Sequence, residues 1–342
     1  MHSWHLFCYG GLRVCLEDQT DMLQSRPLLT LLVLSLSVLT LFPVIGDEFY
    51  QELVVRLMIM AIFAMSLDLL IGYTGLVSFG HAAFFGLSGY MLAIITPETE
   101  PISIWLALPF CLLVTATAAL IIGWFSVRTS GIYFIMITLA FAQMFYYYFN
   151  ENQNLGGSDG IFIFSKPTVF VGNIQILDLN NPLSFYYFVL ISLIASYLIL
   201  FVILQAPFGQ VIRGILANET RTRALGFNTQ KYKLISFIIG GTLAGFAGFL
   251  EAVAGGIISP AHLSWHESGT IMMVVILGGM GTLYGPVLGA FILGFLQDYF
   301  QEIWSAHWLL LLGIFIIVVV LLLPKGIAGL FSQTVHRKNT RK

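Results

Sequence analysis

Charged residues are scarce in this chain. They make up 9% of its 342 residues, with 15 Lys and Arg against 17 Asp and Glu, whereas about a quarter of an ordinary soluble domain is charged. A water-soluble fold of this length must cover its surface with polar side chains, so the composition excludes a soluble enzyme and a disordered chain. The net charge of −2 gives no reason to expect a nucleic-acid partner.

Cysteine and the short catalytic motifs are scarce as well. The three cysteines, Cys8, Cys15 and Cys111, are too few for a disulfide framework and lack the spacing of metal ligands. The sequence contains neither a GxxxxGK[ST] phosphate-binding loop nor an HExxH zinc helix. We therefore expect no metal, no cofactor and no enzymatic site in this chain, and any ATP would be bound by a partner.

Long apolar runs are abundant, because 58% of the residues are hydrophobic. A helix needs about 20 apolar residues to cross a hydrocarbon core about 30 Å thick, and continuous runs without alternation disfavour a β-barrel. The sequence predicts an all-α, polytopic membrane protein with about 8–10 transmembrane helices. The predicted spans are Leu28–Ile45, Leu53–Ile71, Val77–Ile95, Ile102–Val127, Ile132–Phe149, Leu183–Leu204, Leu234–Ala254 and Trp308–Leu323.

A glycine-broken hairpin is predicted between Glu267 and Phe300, where the apolar run is interrupted by GGMGTLYGP. If this segment turns back as two short helices, all Lys and Arg residues except Arg56 and Lys166 fall on one side, as the positive-inside rule requires of the cytoplasmic side. A single crossing would place the basic tail outside. We therefore expect both termini in the cytoplasm.

The predicted organisation is one membrane domain with short flanks. Residues 1–26 form a cytoplasmic, disordered extension, or the part before Met22 is an over-called start. No signal-peptide cleavage site follows the first apolar run. Residues 27–324 form the transmembrane domain, with an external loop at 150–182 and a cytoplasmic loop at 206–233. Residues 325–342 form a basic cytoplasmic tail.

A glycine-rich stretch, GYTGLVSFGHAAFFGLSGY (residues 72–90), has two interpretations. Glycine costs about 1 kcal/mol in a helix relative to alanine, and close helix packing can repay this cost. Alternatively, the helix is broken and its freed backbone groups line a polar path. The candidate path residues are Ser78, Gly80 and His81, with Gly279 and Gly281 of the hairpin. We expect Asp68, near the end of its span, to reach toward water.

The loop at 206–233 contains a predicted amphipathic helix. Val211, Ile212, Ile215 and Leu216 recur at helical spacing among polar residues. This helix lies on the lipid surface or docks a cytoplasmic partner. Glu219 favours docking, because an anionic lipid surface would not select a carboxylate.

Three stretches together resemble the M-type permease subunit of branched-chain amino acid ABC importers, a family that includes urea and amide importer permeases. They are GYTGLVSFGHAAFFG, ANETRTRALGFNTQKYKLISF with AGFAGFLEA, and GGMGTLYGPVLGA. The resemblance implies cytoplasmic ATP-binding subunits, a second related permease, a soluble substrate-binding protein and a bacterial inner membrane. It also implies a coupling helix, with contacts at Arg213, Asn218, Glu219, Arg221, Ala224 and Gly226. Ala217 departs from the family's Glu-Asn-Glu pattern.

Three alternatives remain open at this point. The substrate could be urea or another amide instead of a branched-chain amino acid, and the second permease could be a copy of this chain. An ion-coupled secondary transporter would need acids near the midplane, but Asp68 and Glu251 lie near span ends. An intramembrane serine protease would use the GxSG match at Gly86–Gly89, with Ser88 as nucleophile and His81 as base.

Overall fold

Ten helices account for most of the chain that a computed structural model describes, namely residues 37–43, 47–97, 101–171, 174–177, 179–305, 307–323 and 326–329. Their bounds are α1 Glu48–Ile71, α2 His81–Ile95, α3 Ile104–Ser126, α4 Ile132–Glu151, α5 Pro182–Gln205, α6 Pro207–Ala224, α7 Thr229–Gly255, α8 Trp265–Gly278, α9 Tyr284–Ile303 and α10 Trp308–Leu322. Residues 37–43 and 326–329 are also helical.

The predicted membrane architecture is confirmed. Within the described ranges, six segments are long and apolar enough to cross a bilayer: α1, α3, α4, α5, α7 and the segment Trp308–Gly329, which contains α10. The predicted hairpin is present as α8 and α9. Most of the predicted first span, the extension at 1–26 and most of the tail at 325–342 lie outside the described residues.

Helices α2 and α8 are too short to span a bilayer alone. Helix α2 has 15 residues and α8 has 14, which at 1.5 Å per residue gives about 22 Å or less. The prediction that α2 begins at Val77 is wrong, because residues 72–80 form a turn and an extended segment in which Gly75 has φ +79°. A left-handed residue at this position ends the helical hydrogen-bond pattern.

Helix α7 lies at the centre of residues 48–328. Its small residues allow close approach on three sides: Gly240 faces the Ser66 carbonyl of α1, Gly245 faces Thr115 of α3, and Gly248 faces the Phe85 carbonyl of α2. A Cβ at Gly248 would overlap that carbonyl oxygen. The small-residue spacing therefore brings helices together within this chain, as in other membrane helix bundles.

The end of the bundle remote from α6 carries short β-elements. β1 (Ile161–Phe162) follows α4, β2 (Val169–Val171) pairs antiparallel with β3 (Ile174–Leu177), and β4 (Ile257–Ile258) follows α7. β1 and β4 pair antiparallel, with Ile161 opposite Ile258. Strands β1, β2 and β3 lie in the predicted external loop. The β1–β4 pair joins this loop to the loop that follows α7.

Candidate functional site

The predicted amphipathic helix is α6, which is broken at Asn218. Asn218 has an extended backbone (φ −164°, ψ 102°) inside the helix. Its side-chain oxygen accepts a hydrogen bond from the Arg221 backbone N–H at 2.9 Å, which is the geometry of a helix N-cap. Asn218 thus ends one helical segment and starts a second, which closes at Gly226 with φ +94°, the left-handed conformation of a helix C-terminus.

Glu219 is the first residue of that second segment, and it joins α6 to α7. One carboxylate oxygen lies 2.5 Å from Lys233 Nζ. The other accepts from Thr229 Oγ1 at 3.0 Å and from Arg223 at 3.1 Å. The Lys233 side chain is only 8% exposed, whereas Glu219 is 32% and Arg223 64% exposed. Of the two ion pairs that Glu219 forms, the one with Lys233 is therefore less exposed to solvent.

The electrostatics of Glu219 follow from these partners. Partial burial raises the pKa of the carboxyl group, but the hydrogen bond and charge of Lys233, with Thr229 and Arg223, outweigh burial and leave the pKa below its ordinary value. Glu219 is therefore ionised at neutral pH. It serves first as an internal anchor for α6, a role that the sequence did not indicate.

An exposed surface follows this anchor. Two large apolar side chains, Leu225 (61% exposed) and Phe227 (40% exposed), lie next to the exposed basic residues Arg221 and Arg223. The sequence analysis missed Leu225 and Phe227, whose apolar character in an otherwise polar loop was the available signal. Ala224, which it did predict, is exposed in the same stretch.

The other face of α6 contacts the turn between α1 and α2. The Arg213 guanidinium carbon lies 5.5 Å from the centre of the Tyr73 ring. A methyl group placed on Gly75 would lie 3.0 Å from Leu216 Cδ1. Arg213 thus lies at a contact between α6 and the membrane helices, and α6 is in direct contact with the glycine-rich turn.

The two glycine-rich turns, residues 72–80 and 279–283, meet each other; we call this contact the turn junction. Asp68 Oδ1 accepts a hydrogen bond from the Gly281 backbone N–H at 2.8 Å. A Cβ at Gly72 would overlap both that oxygen and the Gly281 nitrogen. Asp68 is 0% exposed, so the prediction that it reaches toward water is wrong. The carboxyl group is instead buried against a backbone donor of the other turn.

The predicted path residues cluster at the start of α2. The Ser66 hydroxyl donates to the Phe63 carbonyl at 2.6 Å, so His81 Nε2–H donates to Ser66 Oγ at 2.9 Å. The Ala82 N–H donates to Ser268 Oγ of α8 at 2.9 Å, which satisfies one free donor of the helix N-terminus.

These path residues are enclosed in this conformation. Ser78 and His81 are both 0% exposed, and a Cβ at Gly80 would overlap the Thr138 carbonyl of α4. The structure thus brings Ser78, Gly80 and His81 together, and it places Gly279 and Gly281 on the other side of the turn junction. His81 contacts Ser66 instead of Ser88, so the Ser-His pair that a protease would need is not formed at Ser88.

Comparison with known proteins matches residues 49–321 to the family described as branched-chain amino acid transport system / permease component. The chain is 26% identical over 341 residues to the high-affinity branched-chain amino acid transport system permease protein LivM of Escherichia coli (strain K12), covering 94% of this chain and 79% of LivM. It is 22% identical to BraD of Pseudomonas aeruginosa, a permease of the same description, covering 79% of this chain and 91% of BraD.

A shorter match links the chain to a sugar permease. The ribose import permease protein RbsC of Escherichia coli (strain K12) is 35% identical over 95 residues, covering 26% of this chain and 30% of RbsC. No solved structure matches. Because the family match spans most of the sequence, the chain belongs to the branched-chain amino acid transport permease family, and it is a membrane-embedded permease subunit of an ABC transporter.

Proposed function

We propose that this chain forms half of the translocation path of an importer for branched-chain amino acids, and that the exposed surface at the end of α6 docks an ATP-binding subunit. The observation that carries this proposal is the position of Leu225 and Phe227. Both are exposed apolar residues next to Arg221 and Arg223, on a segment anchored to α7 through Glu219. Exposed apolar patches with polar surroundings are typical of protein interfaces.

The remaining partners follow from the family. The protein lies in a bacterial inner membrane, with the loop 206–233 and both termini in the cytoplasm. ATP is bound by the partner subunits. The loop 150–182 faces a soluble binding protein that delivers the substrate, and a second, related permease completes the pore. The translocation path passes the point within the bilayer where α2 begins and α8 ends. The residues that border it are Ser78, Gly80, His81, Gly279 and Gly281. Broken helices of this kind surround the substrate sites of other transporters.

The docking proposal is tested with the variant Phe227→Asp. A carboxylate in the centre of an apolar contact is costly to desolvate, so we expect the variant to insert normally but to lose copurification with the ATP-binding subunits. The matched control is Phe162→Asp, which changes a 59%-exposed aromatic residue at the opposite end of the bundle and should retain both subunits. Normal copurification of Phe227→Asp would overturn the docking proposal.

Orientation and substrate require separate measurements. A cysteine at position 221, with Cys8 and Cys15 changed to Ser, should react with a membrane-impermeant thiol reagent only in inside-out vesicles. Reaction in right-side-out cells would refute the cytoplasmic assignment. Uptake of radiolabelled leucine and urea in a strain that lacks the transporter identifies the substrate. We expect restored leucine uptake that depends on ATP, and restored urea uptake instead would assign the chain to the amide importers.

A further inference from the structure

A buried acid lies at the turn junction without a role in the mechanism so far. Asp68 is on α1, which is buried from Leu57 to Ile59 and from Ala61 to Ile71. Its Oδ1 binds the Gly281 N–H, and its Oδ2 is buried with no hydrogen-bond partner among the described residues. Placing a carboxyl group inside a membrane bundle is expensive, so a single backbone hydrogen bond is a small return in stability.

The contacts around Asp68 indicate a function that offsets this cost in stability. On one side, α6 touches the turn after α1, through Arg213 at Tyr73 and Leu216 at Gly75. On the other side, Asp68 holds the turn between α8 and α9 through Gly281. The sequence separation between Asp68 and Gly281 is 213 residues. This contact series therefore connects α6, the segment proposed to dock a partner, to the α8–α9 hairpin.

The turn that Asp68 holds has a backbone conformation that glycine adopts without strain. Gly279 and Gly281 have φ values of +116° and +76°, a region that glycine enters without steric cost. The contact at Gly72 is so close that a Cβ there would overlap the Gly281 nitrogen. Such a junction transmits a displacement of one turn to the other as long as the hydrogen bond between them holds.

We propose that Asp68 is a positioning residue that couples movement of α6 to movement of the α8–α9 turn. The proposal rests on the docking of α6 to an ATP-binding subunit. The required property of the side chain is an oxygen that accepts from the Gly281 N–H. Asn at position 68 supplies this oxygen in the same place, whereas Leu has the same branched shape, with methyl groups where the carboxylate oxygens stand, and supplies none. The two variants therefore separate hydrogen bonding from packing.

Transport and ATP hydrolysis are measured together in the full complex reconstituted in proteoliposomes. We expect Asp68→Asn to keep the number of substrate molecules imported per ATP within about twofold of wild type. Asp68→Leu should lower this ratio about tenfold while ATP hydrolysis continues. Ser192→Ala is the control, because it removes a side-chain hydrogen bond to the Phe188 carbonyl within α5 but leaves the contact series intact, and it should keep the wild-type ratio.

A local readout distinguishes coupling from general destabilisation. Met280, 52% exposed between the two glycines, is replaced by Cys in a background with Cys8 and Cys15 changed to Ser, leaving only the buried Cys111. We expect ATP with vanadate to change the rate of thiol labelling at position 280. The change should persist in Asp68→Asn and disappear in Asp68→Leu, because a contact series implies coupling only when coupling is measured.

The outcomes separate the two proposals. If ATP changes labelling equally in wild type and in Asp68→Leu, the role of Asp68 is refuted and the docking proposal stands. Loss of the response in Asp68→Asn would also refute it, because the accepting oxygen is still present. If the wild-type complex shows no ATP-dependent labelling and does not retain ATP-binding subunits, the docking proposal itself fails. If Asp68→Leu does not assemble, Asp68→Ala, which also supplies no accepting oxygen, takes its place with the same expected loss of the response.

Discussion

The bond between Glu219 and Lys233 makes an asymmetric prediction about two single variants. In Glu219→Gln, the Lys233 ammonium group, 8% exposed, stays in its sheltered position without a carboxylate. An uncompensated buried charge costs about 3 kcal/mol. In Lys233→Met, the carboxylate that remains is 32% exposed and keeps its bonds from Thr229 and Arg223. This loss should cost about 1 kcal/mol or less.

The double variant tests the same reasoning more strictly. The double variant with Glu219→Gln and Lys233→Met leaves neither a buried ammonium group nor an unpaired carboxylate. Its loss in the free energy of unfolding should therefore return to within about 1 kcal/mol of the loss in Lys233→Met alone. The coupling energy between the two sites is then at least about 2 kcal/mol in magnitude. A Glu219→Gln variant more stable than the double variant would contradict this expectation.

Hydrogen exchange of the backbone amides in α6 and in the first turn of α7 measures these costs. Local opening free energies are obtained from the purified protein in nanodiscs at neutral pH. The amides of α10, remote from this ion pair, serve as the internal reference. Equal effects of the two single variants would show that the Lys233 side chain reaches water, and the reasoning from its burial would be wrong.

Two further predictions concern pH and glycine. Folding lowers the pKa of Glu219. Its contribution to stability is therefore complete above the ordinary pKa of about 4.3 and is lost as the pH falls through the lower pKa of the folded state. On acidification through this pH range, the thermal midpoint should drop more in wild type than in Lys233→Met. Gly248→Ala should destabilise by about 1–3 kcal/mol because its Cβ overlaps the Phe85 carbonyl. Gly313→Ala, with open space around it, should stabilise by up to about 1 kcal/mol, as unfolding in detergent would measure.

Much of the fold could be predicted because membrane helices are recognisable from local composition. The length of the apolar runs indicated the spans, and the distribution of Lys and Arg favoured the α8–α9 hairpin over a single crossing. The start of α2 was misplaced, since the residues before His81 are as apolar as a helix, and nothing local reveals the left-handed backbone at Gly75.

The site was predicted only in part, because its decisive contacts join distant residues. The helical spacing around Ile212 correctly indicated α6, and Asn218 and Glu219 both proved to be structural centres of that segment. Lys233 was counted only as part of the positive charge of the loop, although it is the sheltered partner of Glu219. The prediction that Asp68 reaches toward water was wrong, since its partner Gly281 lies 213 residues away and no local pattern points to it.

The pairing of β1 with β4 limits how the helices can separate. Ile161 and Phe162 pair with Ile258 and Ile257, and the Ile163 N–H donates to the Gly256 carbonyl at 2.8 Å. These backbone bonds fasten the loop after α4 to the loop after α7 at the end remote from α6. These bonds therefore resist rearrangement of α4 relative to α7 at that end. A rotation that keeps this fastening intact produces its largest displacement at the opposite end, where α6 lies.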